Sequence, residues 1–356
     1  MNINIDTTNI HKLFLQNFVK KNESQKNLQK NVKTIKKEDF TTINEINICK
    51  KIKNIPYYSN NYLIVEDYDL LHVSKLNDKF IEKFNVINEN NYLVFTYKNN
   101  VLMDFNDYFL NLKEPKLFIL NVIETFSYIL HGLIKLNEYD ICFFNLSPQN
   151  IVFNVNCGTK PQLQNFHLSL LISKINEDYI TNIIQNHNDY THKPLECHIL
   201  FYLNHNDMST ISYSFIEEIC DIFVNKMSVL CLFSEKYKES YKLSCIEVLK
   251  KYINKSKADI TRDILNQIHT WDIYSFSVLF LHIFGNISRI FSLKSSFINK
   301  ITLELSKNIH PDPSKRGKLH ILIEVFNNLL ENQLDWSFIS KLPSDLMSQL
   351  FYILAQ

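Results

Sequence analysis

The run "FFNLSPQNIVFN", residues 143–154, sets Asn145, Ser147 and Asn150 among apolar neighbours. Pro148 interrupts any regular period, after which apolar residues resume as "NIVFNV". The reading is a loop that opens into a strand. A second short apolar piece, "PQLQNF", follows Gly158, and the two pieces resemble a hairpin across a glycine turn. No Asp or Glu occurs from residue 141 to 176, so neither loop nor hairpin carries a carboxylate of its own.

Working upstream, "KLFILNVIETFSYILHGLIK" places Ile119, Ile123, Phe126, Leu130 and Leu133 at three- and four-residue steps, the stripe of a helix buried on one face. Pro115 stands where such a helix begins. Residues 32–98 mix β-like pieces ("NVKTI", "YLIVEDY", "NYLVFTY") with a helical piece ("FTTINEINICKKI"), the pattern of a small α+β unit. Downstream, residues 199–269 are predominantly helical, with Phe215, Ile219, Ile222 and Met227 along one side. Residues 1–31 are polar and weakly patterned, an extension with no function assigned.

Composition narrows the classes. With 356 residues, 46% of them hydrophobic, the chain can bury one large core or two moderate ones. The 38 basic and 37 acidic side chains give a net charge of +1, so no global field attracts nucleic acid or an acidic membrane. The 18 Tyr and 26 Phe are not interleaved with basic residues in a nucleic-acid module. Seven cysteines, odd in number and never spaced C-x-x-C, support neither a disulfide framework nor a zinc ribbon and point to a reducing, intracellular setting. His187, His192, Cys197, His198 and His205 crowd one region without the paired spacing of a zinc site and read as loop and core residues. The N-terminus lacks the apolar run of a secretory signal, and residues 273–291 are interrupted by His282, Asn286 and Arg289, too polar for a spanning helix. The lysine-rich segment 236–257 reads as an ordinary amphipathic helix in preference to a docking surface for an acidic partner. Only 4 glycines occur, at 132, 158, 285 and 317, so nothing before residue 132 forms a glycine-rich phosphate loop.

Four stations in order resemble the protein kinase superfamily and cover residues 32 to about 330. In the loop, Leu146, Pro148, Asn150 and Ile151 match the family's H-R-D-L-K-P-E-N-I. "NFH", Asn165 to His167, stands 15 residues beyond Asn150, where the family has D-F-G. "HKPLE", 192–196, resembles the A-P-E segment. "DIYSFSVLF", 272–280, matches the D-V-W-S-L-G-V-I-L helix, and "DPSKR", 312–316, the D-P-x-x-R that follows it. The texture is also similar to kinase-like proteins of large DNA viruses. The resemblance implies an α+β, bilobal fold: an extension at 1–31, a small β-containing N-lobe at 32–98, and a large helical C-lobe at 99–356 with an insert at about 199–269.

The same resemblance sorts the residues by role. It implies a buried ion pair between Glu196 and Arg316, and an Asp272 that anchors the catalytic-loop backbone. It places the general base, the phosphate-touching lysine and the Mg²⁺-holding carboxylate at Asn145, Ser147 and Asn165, with Asn150 as second metal ligand. Asparagine does not accept a proton near neutral pH, and its carbonyl is a poorer Mg²⁺ ligand than a carboxylate. Phe143 and Phe144 replace the H-R pair, which removes the usual arginine for an activation-loop phosphate. Glu45 resembles the helix-C glutamate of the nucleotide site; Lys33 is taken as its cofactor-binding partner, with Lys36 the other candidate, at 12 and 9 residues' separation.

The expectation is therefore a pseudokinase with degenerate catalytic and metal positions, in the cytoplasm (the host's, if viral), acting through a protein partner, with no nucleic acid and no membrane. ATP and Mg²⁺ enter only as what the resemblance implies. The alternative is a divergent active serine/threonine kinase that moves the ATP γ-phosphate to protein hydroxyls. A small-molecule phosphotransferase ranks below both, since it needs the same aspartates and lacks the D-P-x-x-R station.

Overall fold

The computed structural model describes residues 32–71, 91–98, 100–155, 158–185, 192–206, 210–293, 296–333 and 335–354. The fold is α+β, with small antiparallel sheets and many helices. Strands β1 (Val32–Lys37), β2 (Asp67–Leu71) and β3 (Tyr92–Tyr97) form a sheet in the order β1-β3-β2, both neighbours antiparallel to β3. Helix α1 (Phe40–Ile52) follows β1 directly. Its start is fixed by Asp39, whose carboxylate accepts from Thr42 N at 2.9 Å, an N-cap.

Strand β4 (Leu102–Asp104) and helix α2 (Phe105–Leu110) lead to α3 (Pro115–Glu138), which begins on its proline and buries Ile119, Ile123, Phe126, Leu130 and Leu133 as their spacing required. After β5 (Ile141–Cys142) comes the 143–150 loop, then β6 (Ile151–Asn154) and β7 (Lys160–Leu163). These pair antiparallel as the expected hairpin, with Gly158 at φ +73° in the turn. A short β8 (Leu170–Leu171) pairs with β5.

Helices α4 (Glu177–Gln185), α5 (Leu195–His205), α6 (Tyr213–Lys226), α7 (Glu235–Leu249) and α8 (Lys257–Leu265) complete the helical region before α9. The latter, Trp271–Ile290, is buried on nearly every side. Then come α10 (Phe297–Asn308), α11 (Leu319–Glu331) and α12 (Met347–Leu354). Phe126 of α3 meets Phe276 and Phe280 of α9 and stacks on Phe326 of α11, with centroids 4.8, 4.9 and 4.3 Å away. The buried apolar residues form one cluster from Ile46 to Leu350.

Three sequence expectations need amendment or detail. "YLIVEDY" is a strand only from Asp67 onward. Tyr62 donates its hydroxyl to Gly132 O at 2.7 Å, and Leu63 N donates to Leu163 O at 2.9 Å. That segment's backbone is committed to crossing toward β7, not to the sheet. Helices Pro115–Glu138 and Ile268–Ile290 are long and apolar enough to cross a membrane by length and composition, but 56% and 78% of their apolar windows are buried inside the protein. Segment 236–257 is α7 plus a short turn; Tyr241, Cys245, Ile246 and Leu249 face inward, while Lys238, Lys242, Lys250 and Lys251 each pair with a carboxylate.

Candidate functional site

The 143–150 loop is held from below by Asp272, in the first turn of α9. Its carboxylate accepts from Phe143 N and Phe144 N, both at 2.8 Å. Asp272 is buried, and desolvation raises its pKa against those two hydrogen bonds and the nearby Lys193 charge. The helix N-terminus adds its own stabilisation of the carboxylate. Phe144 is left-handed at φ +61°, an unusual conformation for an aromatic residue, and the Lys193 ammonium lies 4.8 Å from its ring centroid. Two aromatic residues at the loop's base are thus pinned by one carboxylate and one buried lysine.

Above that base, Asn150 links the side chain of Asn165 to the backbone carbonyl of Asn145. Asn150 donates its amide to Asn145 O at 2.7 Å and to Ser147 Oγ at 3.2 Å. Asn165 donates to Asn150 Oδ1 at 2.8 Å. Asn165 sits at φ +63°, ψ +62°, a left-handed conformation that asparagine tolerates better than most residues. Asn145 is 9% exposed and Asn150 7%. The loop position assigned to proton transfer is closed to solvent. The linked groups are neutral: the Asn165 amide donates to the Asn150 amide, which donates in turn to a backbone carbonyl and a hydroxyl.

Glu45 of α1 is buried and accepts from the Lys36 ammonium at 2.6 Å. The partner is Lys36, which decides between Lys33 and Lys36, the two candidates that the sequence left open. On a strand, residues three apart point to opposite faces; Lys36 shares its face with Val32 and Thr34, and all three border the cavity described below. Lys33 stands in register with Thr96 on the other face. The Lys36 ammonium also lies 5.3 Å from the Phe95 ring centroid.

Helix α1 is tied to the segment after Asn165. Asn44 donates to His167 O at 3.0 Å and Ser169 O at 2.8 Å, and the Tyr179 hydroxyl donates to Asn44 Oδ1 at 2.6 Å. His167 is largely buried, and desolvation pushes its pKa down in spite of the Glu45 charge. Asn44, Tyr179 and Lys193 were not singled out from sequence; their partners come from distant segments and no spacing announces them.

Between the sheet and these loops lies a cavity of about 350 Å³, bordered by Ile35, Lys36, Leu63, Tyr97, Leu102 and Asn165 among others. No carboxylate is among its lining residues. A divalent cation of the Mg²⁺ type asks for hard, charged oxygen ligands in near-octahedral array. Asn150 and Asn165 offer neutral amides, and the Asn150 oxygen already accepts a hydrogen bond, so these residues do not fit the metal that the resemblance implies.

Glu196 and Arg316 meet below α9 as a bidentate pair: Nη1 to Oε1 at 2.6 Å and Nη2 to Oε2 at 2.9 Å. Elsewhere, among the described residues, no group of three or more His, Cys, Asp or Glu side chains could hold a metal ion. His187 lies outside the described residues, and the His198 ring packs against Phe223, centroids 4.9 Å apart. No protein-family model matches this chain, and no curated protein matches it.

Proposed function

We propose that this chain is a pseudokinase: a bilobal protein-kinase-like fold that has given up phosphoryl transfer and acts by binding another protein. The observation that carries the proposal is the neutral Asn165 amide, which donates to Asn150 Oδ1 at the position the resemblance assigns to a metal-holding carboxylate, with the neutral Asn145 at the general-base position. The scaffold contacts that the resemblance assigns to structure are in place beside it. They are the Glu196–Arg316 pair and the Asp272 anchor. The burial of Asn145 supports the same reading, since a substrate hydroxyl must reach that position to lose its proton.

The test is transfer of the ATP γ-phosphate by the purified full chain with Mg²⁺, to itself and to generic protein substrates. The expected signal equals that of Asn150→Ala. Mg²⁺-dependent transfer that disappears in Asn150→Ala refutes the proposal. The second reading, a divergent active serine/threonine kinase, is favoured by one observation, the 2.6 Å Lys36–Glu45 pair, which active members of the family require.

A further inference from the structure

We infer that the cavity enclosed by α2, α3, α9 and α12 is a binding site for a small aromatic alcohol, a ring of about benzene size whose single hydroxyl hydrogen-bonds to His282. The inference stands apart from the pseudokinase reading and from the cleft beside Lys36. The cavity holds about 100 Å³. An apolar protein cavity of about 150 Å³ stays dry and takes up benzene, so the size suits one ring.

The wall is aromatic on three of the four helices' sides. Phe109 comes from α2, Phe118 from α3 and Phe351 from α12. Their rings already meet edge to face, with Phe118 5.5 Å from Phe109 and 5.6 Å from Phe351, centroid to centroid. A ligand ring joins that array at the separations which aromatic pairs prefer. Asn106 and Leu110, exposed on α2, border the same cavity and mark its opening to solvent.

One polar atom selects the class of ligand. His282 of α9 borders the cavity, and its Nδ1 is buried with no hydrogen-bond partner among the described residues. Its neighbours on that side of α9, Leu279 and Ile283, line the cavity as plain apolar residues, and a leucine at 282 would continue their surface. Keeping an imidazole there costs stability for as long as the nitrogen is unpaired. Burial and the Arg289 charge lower the ring's pKa against the nearby Ile353 backbone, which leaves it neutral at pH 7. A neutral imidazole nitrogen donates or accepts according to tautomer, and a hydroxyl answers either. Water is a poor substitute: an ordered buried water needs about two to four polar partners, and the one other polar side chain on the wall is Asn106, at the exposed end.

Calorimetric titration and thermal melts of the full chain with phenol and with benzene test this. Phenol should bind about three- to tenfold tighter than benzene, the equivalent of one ordinary hydrogen bond. In His282→Leu the order should reverse, because the hydroxyl then loses its water and finds no partner. Leu110 is 42% exposed, so Leu110→Trp can obstruct the opening with little strain on the core and should abolish binding of both. Circular dichroism checks the fold of each variant. If His282→Leu unfolds, the native preference for phenol and its loss in Leu110→Trp decide the matter. Benzene binding as tightly as phenol to the native chain overturns the inference. So does the absence of any heat or melting shift with either probe, a phenol preference that survives in folded His282→Leu, or binding that Leu110→Trp leaves unchanged.

Discussion

Replacing Arg316 with alanine should destabilise this protein more than almost any other single change, because of what it leaves behind. The guanidinium donates five hydrogen bonds: two to Glu196, one to Thr270 Oγ1 at 3.2 Å, one to His310 O at 2.8 Å and one to Pro311 O at 3.2 Å. It also lies 4.8 Å from the Tyr274 ring centroid. Its side chain is fully buried and that of Glu196 is 6% exposed, so removal of the cation strands a carboxylate without water. Stranding one partner of a buried pair costs about 3–5 kcal/mol. That is a large share of the total for a domain whose stability lies at about 5–15 kcal/mol.

With a urea dependence of about 3 kcal/mol per molar, the midpoint should fall by about 1–1.7 M. Arg316→Lys should recover only part of this, because an ammonium cannot make the bidentate contact or lie flat on Tyr274. The pair Glu196→Gln with Arg316→Met should be markedly more stable than Arg316→Ala, since a buried pair replaced by groups of similar shape leaves no orphaned charge. Urea titration followed by circular dichroism reads all four chains. A midpoint shift under about 0.3 M for Arg316→Ala, equivalent to under about 1 kcal/mol, would refute the claim that Glu196 depends on this cation.

The same reasoning applies to the cleft and to pH. Lys36→Met should cost more stability than Lys33→Met, because only the former strands the buried Glu45; equal urea midpoints would overturn the pairing. Joint Asn145→Asp and Asn165→Asp should create an Mg²⁺-dependent rise in melting temperature that the native chain lacks, because carboxylates placed beside Asn150 repel until a cation joins them; equal Mg²⁺ responses would count against the amide account. His167 and His282 both have pKa values lowered by burial. Below the ordinary histidine value of about 6.5 the unfolded chain takes up protons that the folded chain refuses, so stability is complete above that pH and falls below it, with a slope of at most about 1.4 kcal/mol per pH unit for each histidine. Urea midpoints from pH 7.5 to 5 should show the decline, and His167→Gln should flatten it; an unchanged slope would remove His167 as a cause.

The parts legible in the sequence are those whose signal is local or periodic. The α3 stripe, the proline at its start and the Gly158 hairpin each follow from residue type at a fixed spacing, while the Glu196–Arg316 pair was implied by the family resemblance alone. The choice between Lys33 and Lys36 turned on strand register. Their separations from Glu45 carry no such information until β1 is paired with β3, Lys33 opposite Thr96 and Lys36 opposite Leu93. Residues 62–66 read as a strand because apolar side chains suit one. The competing partner was Leu163 of β7, whose backbone exchanges hydrogen bonds with Asn61 O and Leu63 N. Lys193 was hidden for a related reason, since a lysine buried against a phenylalanine ring follows from no pattern in its own segment.

The distribution of buried charge explains why the amides can persist in a stable loop. Every carboxylate that the scaffold keeps indoors has its partner built into the chain: Asp272 has two backbone N–H groups, Glu45 has Lys36, and Glu196 has Arg316. Carboxylates at 145 and 165 would have no such partner. A carboxylate at 165 would stand within hydrogen-bond reach of Asn150, and one at 145 would add a second negative charge to the same loop without a compensating cation, which raises the folding cost until a metal arrives. An asparagine both donates and accepts, so Asn150 takes the Asn165 amide and itself reaches the Asn145 backbone carbonyl with no ligand between them. On the pseudokinase reading proposed above, the asparagines give a loop completed by the protein itself in place of one completed by a ligand. A chain whose task is to present a fixed surface to a partner gains from that exchange, because its shape no longer depends on how much metal and nucleotide surrounds it.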